Sequence, residues 1–412
     1  MAEESFFKEN TPWLNMFKVR YSHGQVGNDN LGNERFPYLY TISGGASGYQ
    51  WAEYGNSKSY SGMYYSQVAS PYVSWEIATK NNLGTDISMF HDSFQLTVDY
   101  FDEKREGIYM ARNFLPQIVG LESTPRANVG AVRSRGFDGH FSYNHKIDEV
   151  SLTARGNITY SKNEVLVKDE ENNVYPYQME EGYRVGQTKG LIALGLFEDY
   201  EDIRNSPTQH FGPYQPGDIK YKDVNGDGVI NDGDRVAIGS TRRPNLIYGM
   251  GLSARWKGID VNLHFQGAGK SNFFIYGKTV YAFSEGEWGN VLKDLVTDDR
   301  WISADISGDP STENPNAPYP RLSFGGNGNN FRESTYWLRD ESYLRLKTLE
   351  IGYTLPKKIV NRVRLDNLRI FMVGTNLFTW APFKLWDPEM GNSRGEDYPM
   401  TKSITLGISL NI

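Results

Sequence analysis

The sequence contains no cysteine, and this absence removes several kinds of site at once. Disulfide bridges, zinc sites built on thiolates and thiol nucleophiles all require that side chain. Positive charge is also in slight deficit, because 43 Lys and Arg residues stand against 50 Asp and Glu residues, for a formal net charge of −7. Nucleic-acid binding depends on clustered Lys and Arg that meet phosphates, so no nucleic-acid partner is expected.

Long hydrophobic runs are missing as well. No stretch approaches the ~18 consecutive apolar residues that a membrane-spanning helix needs. The first residues also lack the pattern of a secretory signal, because Glu3 and Glu4 stand where a basic region should precede an apolar stretch. This start predicts either a cytoplasmic protein or an internal piece of a longer chain.

Glycine and aromatic residues, in contrast, are abundant, with 42 Gly, 27 Tyr, 21 Phe and 9 Trp. This mixture is typical of strands and turns. From Asn245 to Trp256 large apolar residues occupy the even-numbered positions, and the alternation resumes after Lys257-Gly258. The pattern predicts a β-hairpin with a two-residue turn, in which each strand has one apolar and one polar face. The predicted fold class is therefore all-β.

The same alternation predicts ten strands along the chain. Their predicted bounds are Trp13–Ser22, Leu83–Phe90, Phe94–Lys104, Val132–His145, Val150–Ser161, Asn245–Trp256, Ile259–Gly267, Ser342–Leu355, Asn367–Phe378 and Ser403–Ile412. The connections alternate between short and long, and the long ones are rich in Gly, Asn, Pro and Tyr. Loops above about 12 to 15 residues are uncommon in compact domains, whereas outer-membrane barrels pair short periplasmic turns with long extracellular loops. The connections favour an antiparallel transmembrane β-barrel portion with long extracellular loops.

One face of this predicted sheet is apolar, and we expect it to be the convex face of an open sheet or half barrel. Its members include Leu246, Tyr248, Met250, Leu252, Leu263, Phe265, Leu406 and Ile408. Aromatic residues that fall near strand ends would form an interfacial girdle; they are Tyr100, Tyr160, Trp256 and Tyr353. Ordinary core packing at the edge of a soluble sandwich remains the alternative interpretation of these aromatic residues.

No catalytic site is identified in the sequence, and the chain is not expected to be an enzyme. The segment Gly267–Ser271 imitates the end of a phosphate-binding loop, but it leaves a hairpin where that motif needs a helix to follow. The six histidines are scattered, with no pair at the spacing of helical metal ligands. Residues 162–244 are predicted to form a long extracellular loop, with a short helix around Gly190 to Phe197.

One segment of this loop has the spacing of a calcium-binding loop. Asp223, Asn225 and Asp227 supply oxygen atoms at loop positions 1, 3 and 5, and Gly226 and Gly228 surround the last of them. The Val229 carbonyl and Asp234 stand at positions 7 and 12, with Asp232 as an auxiliary ligand. A hard cation requires such oxygen ligands, so a structural calcium ion is predicted; a metal-free acidic turn is the alternative.

Several blocks of sequence resemble the SusC/RagA family of TonB-linked outer-membrane transporters of Bacteroidetes. The blocks stand in family order and are Trp13-Leu14 with Lys18-Val19-Arg20, the run Gly217 to Ile230, Arg243-Pro244-Asn245, Ser342 to Lys347 with Gly352 to Pro356, Asn376 to Trp380, and Asp387-Pro388-Glu389. The resemblance covers essentially all of residues 1–412 and corresponds to the C-terminal part of the family architecture. It implies about ten strands of a 22-stranded barrel, as in plugged outer-membrane transporters.

The resemblance also implies a function and a location. The intact protein would reside in the cell outer membrane, in contact with lipid, and would import oligosaccharides or peptides with a SusD-like surface lipoprotein. Energy would come from the TonB complex through an N-terminal part that is absent here. The family usually ends in an aromatic residue, whereas this sequence ends in Ile412. A soluble β-rich carbohydrate-binding or glycan-cleaving domain is the alternative, which would have short loops at both ends of its sheets.

Overall fold

The computed structural model describes residues 4, 9–32, 34–53, 56–113, 115, 118, 121–171, 173–284, 291–296, 300–363, 365–391 and 393–411. Within these residues the chain forms twenty strands and a few short helices. The strands are β1 Leu14–Asn28, β2 Thr41–Glu53, β3 Asn56–Gln67, β4 Glu76–Met89, β5 Phe94–Ala111, β6 Arg126–Ile147, β7 Val150–Val167, β8 Gln187–Gly190, β9 Ala193–Leu196, β10 Thr208–Gln209, β11 Ile219–Tyr221, β12 Val229–Ile230, β13 Val236–Thr241, β14 Leu246–Trp256, β15 Ile259–Gly269, β16 Asn272–Phe274, β17 Leu338–Asp340, β18 Tyr343–Thr354, β19 Asn367–Trp380 and β20 Ser403–Asn411. The α-helices are Tyr200–Arg204, Lys293–Val296, Ala304–Ser307 and Lys357–Val360.

Ten long strands form one sheet in the order β1-β4-β5-β6-β7-β14-β15-β18-β19-β20. Every neighbouring pair is antiparallel. Each of the ten predicted strands corresponds to one of these, so the all-β class and the strand count are confirmed. The observed strands are longer at the ends that lead to long loops, because β5 continues to Ala111 and β6 begins at Arg126.

The connections alternate as predicted. Short ones follow β4, β6, β14 and β18, and long ones follow β1, β5, β7, β15 and β19. Between β14 and β15 the two turn residues Lys257 and Gly258 have φ values of 48° and 88°. Positive φ at both central residues is the mark of the type I′ turn, whose twist matches that of the flanking strands. All long loops therefore leave from the same edge of the sheet.

A continuous apolar face extends across the sheet. Residues directly opposite each other on antiparallel strands share a face, and the pairs Leu252–Leu263 and Met250–Phe265 join β14 to β15 in this way. None of the eight residues predicted for this face is buried, and Leu406 and Ile408 are 78% and 66% exposed. Large apolar side chains in such numbers on an exposed face are typical of a surface that contacts lipid.

Aromatic residues form a row on this face near the long-loop edge. The row follows cross-strand pairs from β1 to β14 and contains Tyr21, Leu83, Tyr100, Phe137, Tyr160 and Leu246. Tyr100 lies within β5, not at its end as predicted, because the strand extends beyond the row. An aromatic row at one level of an apolar band is the arrangement of an interfacial girdle.

The opposite face is polar and held by ion pairs between strands. Arg20 Nε lies 2.8 Å from Asp86 Oδ2, and Arg20 Nη2 lies 3.0 Å from Asp99 Oδ2. Arg369 joins β15 and β18 in the same way through Asp260 and Glu350. Bidentate and bridging contacts of this kind suit the planar guanidinium. This face is therefore the inner one, turned towards the lumen of a barrel.

Glycines make room for these arginines on the inner face. A Cβ added at Gly84 would meet Asp99 and the guanidinium of Arg20, and one added at Gly352 would meet Arg369. The many glycines in the strand sequences thus have a packing role in addition to the turn role inferred from composition.

The main cluster of buried apolar residues lies outside the ten-stranded sheet, in the long loops. Leu191, Tyr221, Ile275 and Trp337 are almost fully buried and belong to one hydrophobic cluster. The cluster draws on the β7–β14 loop (residues 168–245), the β15–β18 loop (270–342) and the β19–β20 loop (381–402). We call this assembly the loop lobe.

Two elements differ from the sequence predictions. The predicted helix around Gly190 to Phe197 is wrong, because these residues contain strand β9 and Gly195 has a φ of 126°, which no α-helix accommodates. The helix starts later, at Tyr200, where the Asp199 side chain accepts a hydrogen bond from the Asp202 amide at 2.7 Å. The second difference is the hairpin β2–β3 within the β1–β4 loop, which the sequence did not predict.

Candidate functional site

The loop lobe is held by strand pairs and bridges that cross between loops. Strand β8 pairs with β13, and β9 pairs with β11, within the β7–β14 loop. Leu191 then forms an isolated parallel bridge with Ser334 of the β15–β18 loop. The two loops therefore share backbone hydrogen bonds as well as the apolar cluster.

A buried carboxylate joins the same two loops. Asp218 has no exposed surface, and it accepts hydrogen bonds from Asn330 Nδ2 at 2.7 Å and from the Gln215 amide at 2.8 Å. Arg321 Nε lies 2.9 Å from Asp218 Oδ1. Breaking a buried ion pair leaves an uncompensated charge, so this contact resists separation of the two loops.

Amide side chains extend this network. Gln209 donates to Asn329 Oδ1 at 2.6 Å, and Tyr221 donates its hydroxyl to the Asn329 carbonyl at 2.7 Å. Burial raises the pKa of Tyr221, which keeps its hydroxyl neutral and able to donate. The segment Gly325–Asn330 has ordinary loop composition in the sequence, and sequence reasoning missed its role. The only available signal was the run of asparagines beside glycines.

The predicted calcium loop folds back on its own backbone. Asp223 accepts from the amides of Gly226 and Gly228 at 2.7 and 2.8 Å, and Asp227 accepts from the Val229 amide at 2.8 Å. Gly226 has a φ of 76°, so the sharp turn expected at this position is present. Asn225 accepts from the Asp227 amide at 3.0 Å and donates to the Tyr175 hydroxyl at 2.9 Å.

Asp234, at the last ligand position, is completely buried. Its two oxygens accept from the amides of Val224 and Asn231 at 2.8 and 2.9 Å. Over the described part of the chain, no three His, Asp or Glu side chains are grouped so that they could hold a metal ion. The carboxylates of this loop thus serve backbone amides, and calcium binding stays a prediction.

The calcium-loop-like segment packs against residues 175–189. Tyr177 donates its hydroxyl to the Gly233 carbonyl at 2.8 Å, and Gln178 donates to the Asp232 carbonyl at 2.7 Å. Lys189 donates to the carbonyls of Tyr177, Gln178 and Met179 at 3.2, 2.9 and 2.6 Å. Burial lowers the pKa of Lys189. This segment also forms one wall of a cavity.

Two cavities lie where the loop lobe meets the inner face of the sheet. The first, of about 490 Å³, is lined by residues of β8 and β16, with Arg184, Arg235 and Arg242. The second, of about 400 Å³, is lined by Arg242, Arg243, Glu341 and Glu389. Arg242 belongs to both walls, so the cavities adjoin, and we call them together the mouth cleft.

Two weaker sequence signals have clear structural outcomes. After Gly269 the chain enters strand β16 and not a helix, so the resemblance to a phosphate loop carries no phosphate site. Lys270 instead places its amine 4.7 Å from the ring centroid of Tyr160. Two predicted features, the aromatic loop Phe273 to Trp288 and the terminal Ile412, extend outside the described residues.

Known proteins give a consistent comparison. No protein-family model matches the sequence. TonB-dependent receptor P26 of Formosa agariphila is 25% identical over 435 aligned residues, which cover all of this chain and 41% of the relative. TonB-dependent receptor P3 of the same organism is also 25% identical, with 100% of this chain and 40% of the relative covered. The chain thus spans about two fifths of the length of the curated relatives it matches.

Solved structures agree on the fold. A structure of the RagAB peptide transporter is 21% identical and superposes with a TM-score of 0.70 over 97% of this chain and 41% of that chain. The open-open state of the RagAB peptide importer gives a TM-score of 0.72 over 98% of this chain and 41% of that chain. In the described residues no helix has the length and apolar character needed to cross a membrane.

These findings confirm the resemblance expected from the sequence. The matched relatives are named as TonB-dependent receptors, the superposed structures share the barrel fold, and the outer membrane is the location that both indicate. Over its whole length, the chain is similar to the barrel portion of the SusC/RagA type of TonB-dependent receptor.

Proposed function

We propose that the chain is part of an outer-membrane importer that takes up oligosaccharides or peptides with energy from the TonB complex. The observation that supports this best is the sidedness of the ten-stranded sheet. Its apolar face is exposed, whereas its polar face is linked by Arg–carboxylate pairs such as Arg20–Asp86. A soluble carbohydrate-binding domain would bury its apolar face, so the sidedness speaks against the alternative.

Substrates of this kind would enter through the loop lobe. The name of the RagAB structures describes a peptide transporter, and we extend peptides, with oligosaccharides as the second class, to this chain as a proposal. The mouth cleft is large enough for part of such an oligomer, since its cavities measure about 490 and 400 Å³. We propose binding and passage, and no catalytic role, for its residues.

A surface lipoprotein partner is the second part of the proposal. The hairpin β2–β3 projects from the β1–β4 loop as an isolated pair of strands, and such hairpins are marginally stable alone. Its aromatic and apolar side chains are well exposed, with Tyr49 at 66% and Met63 at 80%. Exposed tyrosines and methionines are typical of protein interfaces. We therefore propose that this hairpin contacts the SusD-like lipoprotein.

Calcium at Asp223, Asn225, Asp227, the Val229 carbonyl and Asp234 is the third part. The ion would be structural. It would fix the loop against residues 175–189, which already contact it through Tyr177 and Gln178. The support is the ligand spacing together with the turn at Gly226.

Energy-dependent uptake tests the import proposal. We expect cells that produce the complete receptor containing this chain to accumulate labelled oligomers, and to lose this uptake when the TonB box is deleted or a protonophore is added. Diffusion of a small sugar through porins should be unaffected and serves as the control. Oligomer uptake that continued unchanged without the TonB box would contradict the proposal.

A further inference from the structure

The charges on the walls of the mouth cleft are unbalanced. Three of its carboxylates are engaged by cations of the protein: Glu180 pairs with Lys168, Glu333 with Arg235, and Glu389 with Arg345. The fourth, Glu341, is only 7% exposed, and burial raises its pKa to about 7. Below that pH the Glu341 carboxyl is neutral and does not compete for the neighbouring Arg242.

Three arginines of the cleft have no carboxylate bound among the described residues. Arg184 donates to Ser240 Oγ and Asn245 Oδ1 at 2.9 and 2.8 Å, both neutral acceptors. Arg242 donates to the Gly391 carbonyl. Arg243 is exposed, and no hydrogen bond or ion pair of its side chain occurs within the described part of the chain. The bonds of Arg184 and Arg242 hold two guanidinium groups in place without neutralising them.

This positive site contrasts with the rest of the chain, whose formal net charge is −7. Guanidinium groups bind carboxylates and sulfates through paired N–H donors, and they do so more strongly where water is partly excluded. Tyr276, which is 40% exposed, adds an aromatic surface to the same cavity. A concave site with fixed cations and an aromatic side suits an acidic oligomer better than a neutral one.

We propose that the mouth cleft selects acidic substrates, with Arg242 and Arg243 as charge partners for carboxylate or sulfate groups on a short oligomer. This inference rests on the proposed import function and narrows its substrate class. Arg242 stands between the two cavities, so it can contact the charged group of a ligand in either one.

The test uses four probes and the complete detergent-solubilised receptor. The probes are a tetragalacturonate, its methyl ester, a blocked tetraglutamate and a blocked tetraglutamine, so that each pair differs in charge and hardly in shape. By titration calorimetry we expect the acidic member of at least one pair to bind at least about tenfold more tightly than its neutral partner. The preferred pair identifies the source of the acidic group as sugar or peptide. The preference should weaken at high salt.

Variants locate the effect in the cleft. We expect Arg243→Gln to reduce the charge preference several-fold, and Arg242→Lys, which keeps the charge but loses the paired donors, to reduce it in part. Arg204→Gln removes an exposed arginine outside the cleft and should change nothing. Because Arg243 has no structural contact in the described residues, its replacement should leave the fold intact.

Two results would overturn the inference. Equal affinity for charged and neutral probes would exclude charge selection, and absence of binding by all four probes would exclude the cleft as a site for acidic oligomers. Neither result bears on import itself, which the uptake experiment decides separately.

Discussion

Glu341 makes the protein sensitive to pH at a single residue. Its pKa is raised from an ordinary value of 4.5 to about 7, chiefly by burial and against the opposing effect of Arg242. The folded protein therefore holds this proton more tightly than the unfolded chain. The resulting stability is fully present below pH 4.5 and is lost as the pH rises through 7.

Replacement of this residue should show the sign directly. We expect Glu341→Gln to leave the thermal midpoint nearly unchanged at pH 4 and to raise it at pH 8, by up to about 3 kcal/mol in unfolding free energy. Glu171→Gln, at an exposed position of the β7–β14 loop, is the matched control. An equal shift at both pH values would show that packing, and not ionisation, dominates.

Residue roles in the loop lobe were the least predictable part of the molecule. The spacing around Asp223 could be recognised because a local turn depends only on neighbouring residues. Asp218 could not, because its partners Arg321 and Asn330 lie more than 100 positions away in the sequence. The cationic character of the mouth cleft has the same origin, since Arg184, Arg242 and Glu341 come from separate parts of the chain.

At the scale of elements, the calcium-loop-like segment gives a prediction of its own. We expect calcium to protect residues 221–235 from proteolysis, because it would neutralise carboxylates that otherwise repel one another. Asp227→Ala should abolish this protection, whereas Glu171→Ala in the same long loop should keep it. Mass spectrometry of limited digests with calcium or chelator measures the difference. Identical digestion of the unmutated protein under both conditions would remove the case for a calcium site.

Strand predictions succeeded where the two faces of a strand differ in polarity. In β14, apolar residues alternate with small or polar ones, so the period of two is visible. The β2–β3 hairpin was missed because Thr41–Glu53 mixes Gly, Ser and aromatic residues with little contrast between its faces. The helix predicted near Gly190 failed because the glycines there permit extended and positive-φ conformations, whereas the Asp199 cap places the helix start later.

At the scale of the whole molecule, the sheet has two open edges. Strands β1 and β20 each pair with one neighbour only, and the face between them is apolar and exposed. Open edges and a lipid-facing surface are not tolerated in water. We expect the 412-residue chain on its own to aggregate in detergent-free buffer and to remain dispersed when refolded in detergent micelles. A stable, well-folded monomer in plain buffer, measured by light scattering, would contradict the barrel interpretation.

The order of the sheet also bears on how it can be assembled. Neighbours in the sheet are successive long strands in the chain, and four of the nine junctions are short connections such as Lys257-Gly258. Each new strand therefore finds its partner in the one that preceded it, so the entropic cost of closing distant loops is low at these steps. A sheet of this kind can grow one hairpin at a time, in the direction of synthesis, without any strand having to be threaded between two others.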